Sequence, residues 1–473
     1  MVIHFRFCCL FLFFLFCIRA IALNNAVDDL SEELLVRKES RKSMVRTEYG
    51  EVSVVDVFAG NKGPYHLQFI TLEPNSLFLP VLLHADMVLY VQTGSGNLKW
   101  TEDGREMKSV NLRSGDTFSL RSGSIFFLHS SLDTEREKLR LFAIFSSAEE
   151  AIYQPAAEGA YTSIRNLVLG FDGKLLQSAF KVSQDVIEQI MSTASPSGIV
   201  HGVTTKSNFW KLETGLMHLL DGVDSLNKHK KSKTFNLFES DPDFKNCNGW
   251  SLTVDEGNMK SLKGSNVGIF MVNLTRGSMM GPHWNPMATE VALVLHGQGM
   301  IQVVWSDRDD ETDRKSTSFR VREGDVFAVP RFAPVAQMSF DNDSFVFVGF
   351  SSTSKKNHPQ FLVGQRSVFQ SLDKKIVARS FGVNNVTVID QLLFAQGDGV
   401  ILECIFCAEI EESKREEREA RKREEEEERK REEEARERER KEKEERAREE
   451  REARERERKE EEERRKREEE AKE

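Results

Sequence analysis

Between about Glu48 and Ala408, apolar residues come in short runs that alternate in direction. Val326 and Ala328 fall on one side of an extended chain, and Phe327 and Val329 on the other. Gly, Pro, Asn and Asp punctuate these runs at close spacing, which predicts an antiparallel β-barrel or jelly roll. Two stretches break the period of two. Ser178–Met191 and Arg379–Phe394 carry apolar residues at helical spacing and predict amphipathic helices. At the N-terminus an unbroken apolar run extends from Phe7 to Ile18, and the last 63 residues contain no large apolar side chain.

The β-rich body contains one plan twice. "LQFITLEPNSLFLP" parallels "IFMVNLTRGSMMGP", and "TGSGNLKW" parallels "HGQGMIQVVW". "RSGDTFSLRSGSIFFL" parallels "REGDVFAVPRFAPVAQ". Pro80 and Pro282 are 202 positions apart, Gly94 and Gly297 203, Gly115 and Gly324 209. A period this long means two copies of one domain rather than a solenoid. Each copy ends in one of the helical stretches, where Phe180-x-Val182 matches Phe381-x-Val383. Their apolar faces have no obvious partner inside the unit and suit docking against another subunit.

The formal net charge of −10 divides about evenly between body and tail. No basic excess exists to hold a phosphate backbone, which disfavours nucleic acid. Arg6, the following apolar run and Ala20-Ile21-Ala22 have the layout of a secretory signal, residues 1–22. No other apolar run reaches membrane length, so no membrane partner is expected for the mature form. Removing the signal leaves Cys247, Cys404 and Cys407. The lone Cys404-x-x-Cys407 pair implies neither a zinc ribbon nor a redox centre, and reads as small residues on an apolar element. In a secreted chain, Asn273, Asn342 and Asn385 each head a glycosylation sequon. Asn342, in the polar turn "FDNDSF", is the most accessible of the three.

Candidate chemistry concentrates in "GSMMGPHWNPMATEVALVLHGQG", where His283 and Glu290 stand seven positions apart between glycines. With the tandem repeat, these residues resemble the cupin superfamily, and specifically the two-cupin vicilin-type seed storage globulins. Gly277, His283, Glu290 and Gly297 fall on the cupin pattern G-x5-H-x-H-x3,4-E-x6-G, with Asn285 in place of the second His. Gly324 and Pro330 fit the second half of the motif, but Phe332 replaces its Gly and Val335 the third His. In the first unit Val81, Leu83 and Phe126 take the three His positions, and His84 is shifted off the pattern. "FNLFESDPDFKNCNGW" matches the arm that leads into the second unit of such proteins.

The resemblance implies residues 35–192 as a first cupin domain with helical extension and 233–408 as a second. Residues 193–232 link them, and 409–473 form a Glu/Arg-rich tail. Cupin enzymes hold a metal with three His and a carboxylate. Here His283, Asn285 and Glu290 are only a vestige of that set. No catalytic residue and no cofactor is expected, adventitious zinc or copper being the alternative. A buried His283–Glu290 hydrogen bond is expected instead. Along the tail, Glu417, Glu419, Glu425, Glu426, Glu432 and Glu437 each precede an Arg or Lys by four positions. Such pairs favour a solvated single helix, with a disordered polyampholyte as the alternative. The function implied is a nutrient reservoir: a glycosylated homotrimer, not an enzyme, in the protein storage vacuole or outside the cell. A metal-dependent cupin enzyme, or a ligand-binding or defence cupin using the second barrel, is the alternative.

Overall fold

The computed structural model describes residues 34–470 apart from 60–61, 103, 105, 133–136, 147–159, 203–233 and 307–313. The expected signal segment, and most of the expected linker, lie outside the described residues. Among the described residues, no helix is long and apolar enough to cross a membrane.

Each unit is a jelly roll of two antiparallel sheets. In the first unit, one sheet runs in the order Asp116–Leu120, Asp86–Thr93, Leu139–Ser146, Lys62–Leu72, Gly50–Ala59, Lys42–Thr47. The facing sheet runs Tyr161–Ser163, Ser76–Leu83, Ile125–Ser130, Ser95–Thr101, Lys108–Arg113. The second unit repeats the plan with Val326–Val329, Glu290–His296, Phe345–Ser351, Gly268–Leu274 and Gly249–Val254 in its first sheet. Arg314–Arg322, Gln298–Ser306, Val335–Ser339 and Ser278–Trp284 lead its second.

The first sheets are buried on both faces, and alternation sorts their residues into two cores. Met87, Leu89, Val91, Leu141 and Ala143 point into the first barrel. Val88, Tyr90, Phe142 and Ile144 point the other way, into a core shared with Val291, Phe347 and Phe350 of the second. Phe142 and Phe350 meet across this interface with centroids 4.9 Å apart, worth about 0.5–1.5 kcal/mol beyond the area they bury.

The arms are exchanged. Leu35–Val36, ahead of the first barrel, pairs with Val326–Phe327 of the second. Phe235–Asn236, ahead of the second barrel, pairs with Asp116–Thr117 of the first. Each arm thus covers an edge strand of the other barrel, an edge that would otherwise expose unpaired backbone groups. Within the stretch read as linker, Ile199–His201 is a strand paired to Ser76–Phe78 of the first barrel.

Both helical extensions differ from the single helices expected. The first is Ile164–Leu169, Gly173–Phe180 and Gln184–Ser192, interrupted where Lys181 takes a left-handed conformation (φ 55°). The second is Lys374–Ser380 and Val386–Phe394, broken at Gly382 (φ 67°) and restarted by the Asn385 side chain, which accepts the Thr387 N–H. Cys404 and Cys407 are disulfide-bonded, contrary to their reading as small residues on an apolar element. The Cys407 N–H donates to the Cys404 carbonyl, and Phe406 adopts φ 59° between them. That tight turn brings the two Cα atoms to 5.4 Å, within disulfide reach.

The tail forms a unit of its own from Ile410 onward. It belongs to the helix Cys407–Glu470, whose 64 residues span roughly 95 Å. Glu426–Lys430 (2.8 Å), Glu437–Lys441 (2.9 Å) and Glu432–Arg436 (3.7 Å) pair as expected, whereas Arg421 turns forward to Glu425 (3.6 Å).

Candidate functional site

The cupin positions of the first barrel are plain core. Val81, Leu83 and Phe126 are buried together, and none can ligate a metal. His84 stands outside this core, its Nε2 3.0 Å from the Thr162 hydroxyl.

In the second barrel, Ser278–Trp284 brings His283 opposite Val335, while Glu290 begins a strand of the facing sheet. His283 is 5% exposed, its Nδ1 donates to the Gly281 carbonyl at 2.8 Å, and its ring lies against Phe361. Burial pushes its pKa down to about 4, against the opposing pull of the Gly281 carbonyl, so the ring is neutral at pH 7. Asn285 is fully buried. Its side-chain oxygen accepts from Asn357 Nδ2 at 2.8 Å, and its carbonyl accepts the Phe332 N–H. The same Asn357 nitrogen reaches Glu290 Oε1 at 3.3 Å. Burial pushes the Glu290 pKa up to about 7, opposed by the Asn285 and Asn357 amides.

The expected hydrogen bond between His283 and Glu290 does not form. His283 spends its donor on the backbone of its own strand, and Asn357 occupies the place beside Glu290. Sequence reasoning brought together three of the four polar residues and missed Asn357. It lies 67 positions beyond Glu290 in a polar loop, with no motif to mark it. Glu290 keeps some exposed area at the strand end, yet protein surrounds its carboxyl group. The surrounding protein governs its proton affinity.

The arrangement does not fit a transition metal. It offers one imidazole, one carboxyl group engaged by an amide, and two amides that are poor ligands for such ions. Among the described residues, no group of three or more His, Cys, Asp or Glu side chains is placed to hold a metal. Two imperfections remain in the cluster: Asn357 Oδ1 has no hydrogen-bond partner, and Asn285 Nδ2 acts on Glu290 without completing a hydrogen bond.

A family model for cupin matches residues 37–188 and 235–389. A vicilin-like seed storage protein of Arabidopsis thaliana is 50% identical over 401 residues, 81% of this chain. The match spans 55% of that relative's own length. A second vicilin-like seed storage protein of the same plant is 45% identical over 409 residues, covering 81% of this chain and 77% of the relative. Among solved structures, hazelnut (Corylus avellana) vicilin superposes with a TM-score of 0.65 at 20% identity, over 79% of this chain and 99% of that one. A vicilin from Solanum melongena, described as holding different anionic ligands in structurally similar pockets, gives 0.65 at 20% identity over 78% and 98%. Two tandem jelly rolls with helical extensions and a dismantled ligand set define a two-barrel cupin. The chain belongs to the family of vicilin-like seed storage proteins.

Proposed function

We propose that the chain is a seed nutrient reservoir. In this reading it is a secreted, trimer-forming globulin laid down in protein storage vacuoles, without catalysis or a bound metal. The observation that carries it is the state of the side chains at the cupin ligand positions. In the first barrel Val81, Leu83 and Phe126 are apolar core; in the second Val335 is apolar, His283 bonds to backbone, and Asn285 and Glu290 are held by Asn357. The storage role borne by the relatives' descriptions agrees with this.

Trimer formation is supported by the helical extensions. Phe171 (56% exposed), Leu175 and Ile190 on the first, and Ile376 (64% exposed), Leu392 and Phe394 on the second, present apolar area to solvent. Faces of this kind mark interaction surfaces. Two measurements test the proposal. The chain should be abundant in maturing seed, scarce in vegetative tissue, and consumed during germination. Light scattering on the body without its tail should report about three chains. Uniform low abundance in all tissues overturns the storage role, and a stable monomer at micromolar concentration overturns the trimer.

A further inference from the structure

We propose that Asn75, His129 and His201 form an acid-released latch that fastens the strand Ile199–His201 to the first barrel.

The strand is short, and its backbone hold is correspondingly slight. Ile199 and Val200 lie opposite Phe78 and Leu77, the Leu79 N–H donates to the Gly198 carbonyl, and the Gly202 N–H to the Asn75 carbonyl. Beyond that last backbone bond, what joins its end to the barrel is one side-chain amide. Asn75 is 8% exposed and left-handed (φ 56°), a conformation Asn tolerates better than most residues. Its Oδ1 lies 3.2 Å from His129 Nε2, and its Nδ2 3.3 Å from His201 Nε2. The same Nδ2 reaches the Gly202 carbonyl at 3.5 Å. Gly202 closes the cluster. A Cβ there would stand 2.6 Å from both Asn75 Oδ1 and His129 Nε2 and 2.7 Å from the Asn75 carbonyl oxygen, so any larger residue must push the cluster apart.

The proton arithmetic of the bridge makes it a switch. An amide presents an acceptor to one imidazole and a donor to the other. The ring that faces the donor must offer a lone pair, so it must be neutral. Here that ring is His201. Turning the amide over transfers the demand to His129 and gives up the bond to Gly202. When both rings are protonated, an N–H faces an N–H in either orientation.

The surroundings do not neutralise such a pair. Lys99 approaches His129 from Ser95–Thr101 and, after burial, is the second influence holding its pKa below the ordinary 6.5. The Tyr49 ring lies 5.5 Å from that of His201, with its hydroxyl engaged by Glu48. Arg46 and Glu51, on the strands beneath, pair with each other at 2.9 Å. In the adjoining turn Glu73 is taken by Lys138 at 2.6 Å. Ser76–Leu83 itself carries no charge.

The sign follows from linkage. A histidine whose pKa is lowered in the closed state stabilises that state above about pH 6.5, and the contribution is lost as pH falls below it. Acid therefore favours the open strand.

Hydrogen–deuterium exchange on the full chain tests the latch, with labelling times scaled for the intrinsic pH dependence of exchange. Between about pH 7.5 and about pH 5.5, protection of residues 198–202 is expected to fall roughly tenfold or more. The amides between Glu290–His296 and Phe345–Ser351 should stay protected throughout, which shows the barrels remain folded. His201→Gln keeps an acceptor that does not titrate and leaves only the His129 contribution, so its 198–202 protection should fall clearly less than the parent's over this range. Gly202→Ala should open the strand at every pH. The latch is overturned by protection in the parent that does not change with pH, or by a His201→Gln variant that loses protection in acid as the parent does.

Discussion

Arg37 and Asp325 stand 288 positions apart in the chain and 2.7 Å apart in space. Asp325 is 4% exposed at its side chain and also accepts the Lys38 and Arg322 N–H groups. The first barrel repeats the device. Asp116 accepts the Arg113 N–H and the side-chain amide of Asn236, which arrives on the other arm. An aspartate in the tight Gly-Asp turn of each barrel is therefore the dock for the opposite arm. Asp325→Ala leaves three donors short of their acceptor, and Arg37→Ala removes one of the three. Both should destabilise, with the Asp325 change larger and of the order of 1–3 kcal/mol by urea denaturation. The reverse order would mean that the arm is held by its strand pairing alone.

The second-barrel cluster should show coupling where its hydrogen bonds run. Glu290→Met with Asn357→Leu should be non-additive by about 0.5 kcal/mol or more, since each change removes the hydrogen bond that joins the two side chains. Glu290→Gln with His283→Leu should be close to additive, because each has its own partner. A strongly coupled His283–Glu290 cycle would restore the direct pair that the structure replaces.

The same two residues act on stability in opposite senses as pH changes. Burial raises Glu290 from 4.5 to about 7, so its contribution is complete below 4.5 and lost as pH rises through 7. Burial lowers His283 from 6.5 to about 4, so its contribution is present above 6.5 and lost as pH falls through 4. The two windows overlap and their slopes oppose, so Glu290→Gln should leave stability rising with pH between about 4 and 6.5, and His283→Leu should leave it falling with pH between about 4.5 and 7. Denaturation series from acid to mild alkali check this, and unchanged curve shapes would contradict it.

The tail should behave as a helix with nothing to pack against. Glu426 and Glu437 have lowered pKa values through hydrogen bonds to Lys430 and Lys441, and that of Lys430 is raised in return. Helix support from these pairs is lost as acid protonates the Glu and as strong alkali neutralises the Lys. A peptide covering residues 411–470 should be helical by far-UV circular dichroism, most so at intermediate pH, and should melt gradually. A sharp, concentration-dependent transition would reveal self-association instead.

The three sequons are not equivalent. Asn342 is exposed between two strands, whereas Asn385 caps a helix and Asn273 is paired within a strand, opposite Trp250. Asn342→Gln is expected to remove most of any glycan-dependent mobility shift. Asn385→Ala should cost about 1 kcal/mol through loss of its cap. A shift that survives Asn342→Gln and vanishes with Asn273→Gln would reverse the assignment.

Much of the architecture was legible because it rests on local signals. Alternation in segments such as Val326–Val329 marked strands, and near-constant offsets between paired glycines marked two copies. The break at Gly382 was also written locally, by a glycine and an Asn cap, though helical spacing on either side masked it. Other features had no local cue. Asn357 joins Glu290 only through the closure of the barrel, and Cys404 meets Cys407 only through the left-handed Phe406. Arg37 reveals nothing of Asp325 because their meeting depends on arm exchange. The emptied site was legible residue by residue, but its true partnerships were not.

Arm exchange also changes what a cut in the chain can do. A single break anywhere between residues 203 and 233 would sever the backbone link from one unit to the next. The N-terminal fragment would still supply Leu35–Val36 to the second barrel, and the C-terminal fragment Phe235–Asn236 to the first. Each piece keeps a hand in the other, and the shared core of Phe142 and Phe350 stays closed between them. A nicked molecule is thus two polypeptides and one particle, recognisable as cleaved only after denaturation.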